Sequence, residues 1–178
     1  MCGIIGYTGK LAAAPVLIEG LKRLEYRGYD SAGLAVVADE HMYQVKSVGK
    51  VAQLEAVAGQ QPELKKLAGC GIAHTRWATH GAPSTLNAHP HLDESGRFAV
   101  VHNGIIENYQ ELRKHLEGKG VHFRSQTDSE VIPHLIAGAY EGDLLSAVAA
   151  ALKQLDGTYG IAVVSSLEPG VVVTARKG

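Results

Sequence analysis

Residues 2–8 read Cys-Gly-Ile-Ile-Gly-Tyr-Thr and stand at the head of the chain. The apolar pair Ile4 and Ile5 among small residues predicts a short buried β-strand that begins at the terminus itself. A helix is predicted next over 13–25, because Pro15 suits a first turn and apolar residues follow it at helical spacing. The start of the chain is therefore expected to belong to the folded core.

The rest of the chain continues with strands, then helices, then strands. A β-rich run at 33–38 is followed, across a turn at Asp39-Glu40, by its predicted hairpin partner at 42–48. Further strands are predicted at 70–76, 97–102 (ending in Asn103-Gly104), 158–165 and 170–176, and helices at 50–58, 61–67, 106–117, 128–141 and 143–155. This order favours an α+β fold with antiparallel hairpins over a doubly wound parallel sheet.

Composition excludes several classes of function. The 178 residues carry a formal net charge of -1, so there is no basic surface typical of nucleic-acid binding. No apolar run approaches the roughly 18 residues of a membrane helix. The start lacks the basic region and cleavage site of a signal peptide. With only Cys2 and Cys70 there is no disulfide framework, so a reducing cytoplasm is expected.

Cys2 directly follows the initiator methionine, and this position allows two interpretations. If Met1 is removed, thiol and α-amine share one carbon, and the amine can activate the thiol as a nucleophile. While Met1 remains, that nitrogen is an amide and cannot act as a base. In the alternative, Cys2 is only a small apolar residue heading a buried strand. Cys70 is expected to lie buried in its strand and to be inert.

Asn103-Gly104 is the second candidate feature, at the predicted end of a strand. Acyl transfer by a cysteine needs two donors for the developing oxyanion, and an Asn amide with the next backbone N–H can supply them. The alternative is a plain Asn-Gly turn, which is a common hairpin device.

Two charged residues suit an amino-acid substrate. Arg76 can hold a carboxylate through two hydrogen bonds, and Asp128 can hold an ammonium group. Thr79 and His80 follow Arg76 and could add donors. The alternatives are a surface ion pair for Arg76 and a helix N-cap for Asp128. Trp77 is expected either to cover the site or to be ordinary packing.

Histidines are concentrated in the middle of the chain and raise the question of a metal. They are His74, His80, His89, His91 and His102. No pair has a defined ligand spacing, and no Cys-x-x-Cys is present, so no metal and no cofactor are predicted. A metalloprotein built on this cluster stays as an alternative.

Taken together, these segments resemble a known family. The chain resembles the glutaminase domain of the glutamine–fructose-6-phosphate aminotransferases (isomerising), or glucosamine-6-phosphate synthases, which are class II glutamine amidotransferases of the N-terminal-nucleophile superfamily. The resemblance covers essentially the whole chain and rests on residues 2–6, 24–33, 74–81, 87–91, 102–108 and 127–130. It implies a four-layer αββα sandwich and hydrolysis of L-glutamine to glutamate and ammonia.

The resemblance also implies residue roles. Cys2 would form a γ-glutamyl thioester, with Asn103 and Gly104 as the oxyanion hole. Arg76, Thr79 and His80 would bind the substrate carboxylate and Asp128 its ammonium group, under a loop carrying Trp77. Arg27 and Gly28 would support the terminal amine, and His89 would lie toward a partner domain.

The family extends beyond this chain. Its glutaminase domain continues past Gly178 and is followed by two sugar-isomerase domains that bind fructose 6-phosphate and receive the ammonia. Residues 1–178 are therefore expected to be a truncated glutaminase domain without those partners, and the full-length protein is expected to be a homodimer. A non-catalytic module that binds glutamine or supports assembly is the remaining alternative.

Overall fold

The computed structural model describes residues 2–78 and 81–178, except for the side chain of Arg27. Two antiparallel sheets of four strands each form the centre of the molecule. No helix among the described residues has the length and apolar character needed to cross a membrane.

The first sheet has the order β1-β4-β2-β3, and the second has the order β5-β6-β7-β8. Their strands are β1 (Gly3–Ala12), β2 (Ser31–Ala38), β3 (His41–Val48), β4 (Ala68–Arg76), β5 (His91–Leu92), β6 (Phe98–Ile106), β7 (Gly157–Ser165) and β8 (Val173–Lys177). The helices are α1 (Ala13–Leu24), α2 (Val51–Gly59), α3 (Tyr109–Gly118), α4 (Val131–Ala139) and α5 (Leu144–Leu152), with short 3-10 turns at Glu25–Arg27 and Pro62–Lys65.

Three apolar clusters show that the fold has four layers. Leu34 and Val36 of β2 pack with α1 and α2, whereas Ala35 and Val37 pack into the space between the two sheets. Successive side chains of a strand point to opposite faces, so one strand serves both clusters. The third cluster joins the second sheet to α3, α4 and α5. The predicted αββα sandwich is confirmed.

The hairpin between β2 and β3 forms where the sequence predicts it. Ala38 pairs with His41, and the two residues between them have positive φ angles, 49° for Asp39 and 62° for Glu40. Positive φ at both central positions is the geometry of a type I′ turn, whose twist matches that of the strands it joins.

Several element boundaries differ from prediction, some by three residues or more. Strand β6 does not end at Asn103-Gly104 but runs through both residues to Ile106, so this pair is not a hairpin turn. Helix α4 begins only at Val131, with Glu130 at its N-cap, so Asp128 is not a helix cap. Its Oδ2 instead accepts a hydrogen bond from the backbone N–H of Ile106 at 2.8 Å. The helix predicted over 61–67 is reduced to the 3-10 turn at Pro62–Lys65.

Cys70 lies in β4 and is fully buried in the cluster between the sheets, as predicted. Burial raises the pKa of its thiol, which disfavours the reactive thiolate.

Candidate active site

Cys2 lies where the beginning of β1 meets the end of β4. Gly3 pairs with Thr75 across the two strands, and the Gly3 N–H donates to Thr75 Oγ1 at 3.1 Å. The Trp77 N–H, just past the end of β4, donates to Cys2 Sγ at 3.1 Å. The side-chain amide of Asn103 donates to the Cys2 carbonyl oxygen at 3.3 Å. Three strands therefore converge on the half-buried Cys2.

One cavity of about 270 Å³ opens beside this cysteine. Seven residues predicted for the site line it: Cys2, Arg76, Trp77, His89, Asn103, Gly104 and Asp128. Thr79, His80 and the side chain of Arg27 lie outside the described residues. A larger cavity of about 590 Å³, lined by the 93–98 segment, α3 and α4, contains none of the predicted site residues. The smaller cavity is therefore identified as the candidate site by the chemistry of its lining residues and not by its volume.

Gly104 has a conformation that favours glycine. Its φ is 131°, and a Cβ there would lie 2.1 Å from the carbonyl oxygen of Thr158. That oxygen belongs to β7, which pairs with β6 at Gly104 and Tyr159. Glycine at this position therefore lets β6 continue beside β7 while Asn103 and Gly104 both line the cavity.

Arg76 is buried, so it is not a surface ion pair. Its side chain is 4% exposed, and its guanidinium donates from Nη2 to the Gly81 carbonyl at 3.2 Å, while Nη1 lies 3.9 Å from Asp30 Oδ1. Asp128 lines the same cavity and is also buried, and among the described residues no cationic side chain lies within ion-pair distance of it. A buried cation and a buried anion at one cavity fit a zwitterionic ligand.

Trp77 is 55% exposed, so it is not core packing. A Cβ added to Gly28, whose φ is 71°, would lie 3.0 Å from the Trp77 ring. Gly28 therefore lies directly against the indole and leaves room for it. The interpretation of Trp77 as a cover over the cavity stays a prediction.

Four of the clustered histidines are buried: His74, His89, His91 and His102. The His74 and His89 Nδ1 atoms are 3.0 Å apart, and the His89 and His91 rings meet edge to face. Burial lowers the pKa of His74 to about 3 and that of His89 well below its ordinary value, so both are neutral. Among the described residues, no group of three or more His, Cys, Asp or Glu could hold a metal ion. His89 lines the cavity and is 5% exposed.

Three residues of the site received no role from sequence reasoning. Thr75 Oγ1 accepts a hydrogen bond from the Gly3 N–H, Asp30 accepts one from the Ala78 N–H, and His74 Nε2 lies 2.7 Å from Asn103 Oδ1. For His74 a signal existed, because residues two apart on a strand share a face and Arg76 was already a candidate. The contacts of Asp30 and Thr75 depend on tertiary structure.

The chain belongs to the glutamine amidotransferase domain family, whose match covers residues 74–177. Its fold agrees with that family. The glutamine phosphoribosylpyrophosphate amidotransferase from B. subtilis superposes with a TM-score of 0.74 at 27% identity, over 99% of this chain and 36% of that one.

Relatives with higher identity carry a more specific name. Glutamine–fructose-6-phosphate aminotransferase [isomerizing] from Symbiobacterium thermophilum is 59% identical over 178 residues, and the one from Clostridium tetani is 53% identical over 177. Each match covers 99% of this chain but only 28% and 29% of the respective relative. The chain thus spans less than a third of the length of these relatives.

Proposed function

We propose that this chain hydrolyses L-glutamine to glutamate and ammonia, with Cys2 as the nucleophile. The observation that carries the proposal is the shared cavity of Cys2, Asn103, Arg76 and Asp128. This cavity combines a thiol, an amide donor, a buried cation and a buried anion, which are the groups that amide hydrolysis on an amino acid requires.

Substrate binding uses the two buried charges. Arg76, with Thr79 and His80 beside it in sequence, binds the α-carboxylate of glutamine, and Asp128 binds its α-ammonium group. This fixes the side-chain amide of glutamine at the Cys2 thiol. Trp77, supported by Gly28, covers the bound substrate, and exclusion of water strengthens these charge interactions.

The chemistry proceeds in two steps. The Cys2 thiolate attacks the side-chain amide carbon, and the oxyanion that forms is stabilised by the Asn103 amide and the Gly104 N–H. The C–N bond breaks, the nitrogen takes a proton and leaves as ammonia, and a γ-glutamyl thioester remains on Cys2. Water then attacks the thioester, which releases glutamate and returns the proton to the thiol.

The base is the α-amine of Cys2, which exists only after Met1 has been removed. An amine with a reference pKa of about 7.7–8.0 exchanges protons readily with a thiol of about 8.5. Arg27 and Gly28 hold this terminal amine in place. Removal of Met1 is therefore the step that activates the site.

We also propose how the ammonia is used. In a longer protein like the relatives, the ammonia would pass to sugar-isomerase domains that convert fructose 6-phosphate to glucosamine 6-phosphate. This chain would be the glutaminase part of such a protein, which would act as a homodimer in the cytoplasm.

Glutamate and ammonia formation from glutamine tests the proposal. The chain is produced with Met1 removed, verified by intact mass, and compared with Cys2→Ala and with Cys70→Ala as a control. Cys2→Ala is expected to abolish turnover, while Cys70→Ala keeps it because Cys70 lies between the sheets. Equal rates for wild type and Cys2→Ala, or saturable glutamine binding without glutamate formation, would overturn the proposal.

A further inference from the structure

Asn103 can serve an oxyanion only if its NH₂ group, and not its oxygen, faces Cys2. A side-chain amide can rotate by half a turn and exchange these two groups. In the observed orientation Nδ2 donates to the Cys2 carbonyl at 3.3 Å, and Oδ1 lies 2.7 Å from His74 Nε2. The reversed orientation would bring Oδ1 against the Cys2 carbonyl, which places two acceptors together without a proton.

We propose that His74 is a positioning residue: its Nε2–H holds Asn103 Oδ1 and thereby directs the Asn103 NH₂ group toward Cys2. This inference rests on the proposed glutaminase reaction. His74 does not line the cavity and so acts through Asn103. It belongs to β4 and Asn103 to β6, so the hydrogen bond joins the two sheets at the site.

His89 completes the arrangement by fixing the tautomer of His74. His74 is fully buried and neutral, so a hydrogen on Nε2 leaves Nδ1 as an acceptor. That Nδ1 lies 3.0 Å from His89 Nδ1, which must then carry a hydrogen. The neutral pair therefore has one consistent proton arrangement, His89 Nδ1–H to His74 Nδ1 and His74 Nε2–H to Asn103 Oδ1.

This arrangement assigns the buried histidines a use other than metal binding. A charged His74 would need a proton on Nδ1 and would lose its acceptor for His89. Burial lowers the pKa of both rings, so the pair is neutral near neutral pH, where Asn103 stays oriented.

The first test compares His74→Leu, which has no donor, with His74→Gln, whose amide nitrogen can replace Nε2–H. His74→Leu is expected to lower kcat by about 10²-fold, comparable to the loss of one oxyanion donor, with little change in KM. His74→Gln is expected to recover a large part of this loss. The matched control is His134→Leu, which removes a buried imidazole from α4, outside the cavity, and should leave kcat unchanged.

A double variant separates positioning from general structural damage. If His74 acts through Asn103, then His74→Leu on an Asn103→Ala background should change kcat by no more than about twofold. A full further loss in the double variant would overturn the inference. Wild-type kcat in His74→Leu would overturn it as well, while the proposed function would stand as long as Cys2→Ala remains inactive.

Proton-detected ¹⁵N NMR of the imidazoles provides a readout that does not depend on turnover. The expected result is an Nε2–H tautomer for His74 and an Nδ1–H tautomer for His89. An Nδ1–H tautomer for His74 would overturn the inference even in an active enzyme. Conversely, the expected tautomers in a protein without Cys2-dependent hydrolysis would overturn only the proposed function.

Discussion

Asp30 and Ala78 lie 48 residues apart in the chain, and the Ala78 N–H donates a hydrogen bond to Asp30 Oδ2. The other oxygen, Oδ1, lies 3.9 Å from the Arg76 guanidinium and accepts a hydrogen bond from the Ser31 hydroxyl. One carboxylate therefore fixes both ends of the segment 76–78. Trp77, whose N–H contacts the Cys2 sulfur, lies between those ends.

Asp30→Ala is therefore expected to impair glutamine binding more than chemistry. Loss of this half-buried charged acceptor removes the anion beside Arg76 and the partner of the Ala78 N–H, which corresponds to about 1.5–3 kcal/mol and up to a hundredfold rise in KM. Asp30→Asn keeps one neutral acceptor, so its KM should fall between that of Asp30→Ala and that of the wild type. Steady-state kinetics distinguish the outcomes, and an unchanged KM with reduced kcat would contradict this assignment.

Gly104→Ala is expected to destabilise the protein and abolish turnover. The added Cβ would meet the Thr158 carbonyl oxygen at 2.1 Å in a backbone conformation that other residues rarely adopt, at a cost of about 1–3 kcal/mol. Gly160→Ala is the matched control, since Gly160 pairs with Asn103 across the same two strands and a Cβ there meets nothing within 4 Å. Urea unfolding and glutaminase rates of both variants provide the measurement. Equal stabilities would show that β6 can relax around the new methyl group.

The strands and turns could be predicted from the sequence because their signals are local. The β-rich run at 33–38 and the turn at Asp39-Glu40 are properties of neighbouring residues, and both agree with the structure. The four-layer arrangement was expected only from the family resemblance. The predicted end of β6 was wrong because it also relied on a local signal. Asn-Gly favours a turn locally, but pairing of β6 with β7 from Phe98 to Ile106 overrides that preference.

In the candidate site, too, some features could be predicted from the sequence and others could not. Residues of suitable chemistry could be selected from sequence, and Cys2, Arg76, Asn103 and Asp128 do line one cavity. The contacts that support these residues could not be predicted. Asp30 contacts Ala78 and His74 contacts Asn103, and both contacts join residues that are far apart in the chain. The histidine cluster suggested a metal only because sequence does not show that His74 and His89 face each other.

The two cysteines should differ strongly in reactivity toward iodoacetamide. Cys2 is half-buried beside the cavity, whereas Cys70 is fully buried and its pKa is raised by that burial. Alkylation of the native protein near neutral pH is expected to modify Cys2 alone, and unfolding in denaturant should expose both. Peptide mass spectrometry after a time course provides the measurement. Labelling of Cys70 at the rate of Cys2 in native protein would contradict the burial argument.

Glu130 should make stability depend on pH in the acidic range. Burial alone would raise the pKa of its carboxyl group, but the His134 imidazole 3.9 Å away and hydrogen bonds from Arg124 and Ser125 outweigh burial and lower the pKa from 4.5 to about 2. Between these values the unfolded chain binds more protons than the folded one, so stability is present above pH 4.5 and is lost as the pH falls toward 2.

Glu130→Gln tests this dependence because it removes the titrating group. At neutral pH the variant is expected to be less stable by about 2 kcal/mol, since charged hydrogen bonds to Arg124 and Ser125 are weakened. As the pH falls, the wild type should approach the variant, whereas exposed Glu141→Gln should follow the wild type throughout. Urea unfolding at a series of pH values measures the difference. A constant gap between wild type and Glu130→Gln down to about pH 2 would mean that folding does not lower the pKa of Glu130.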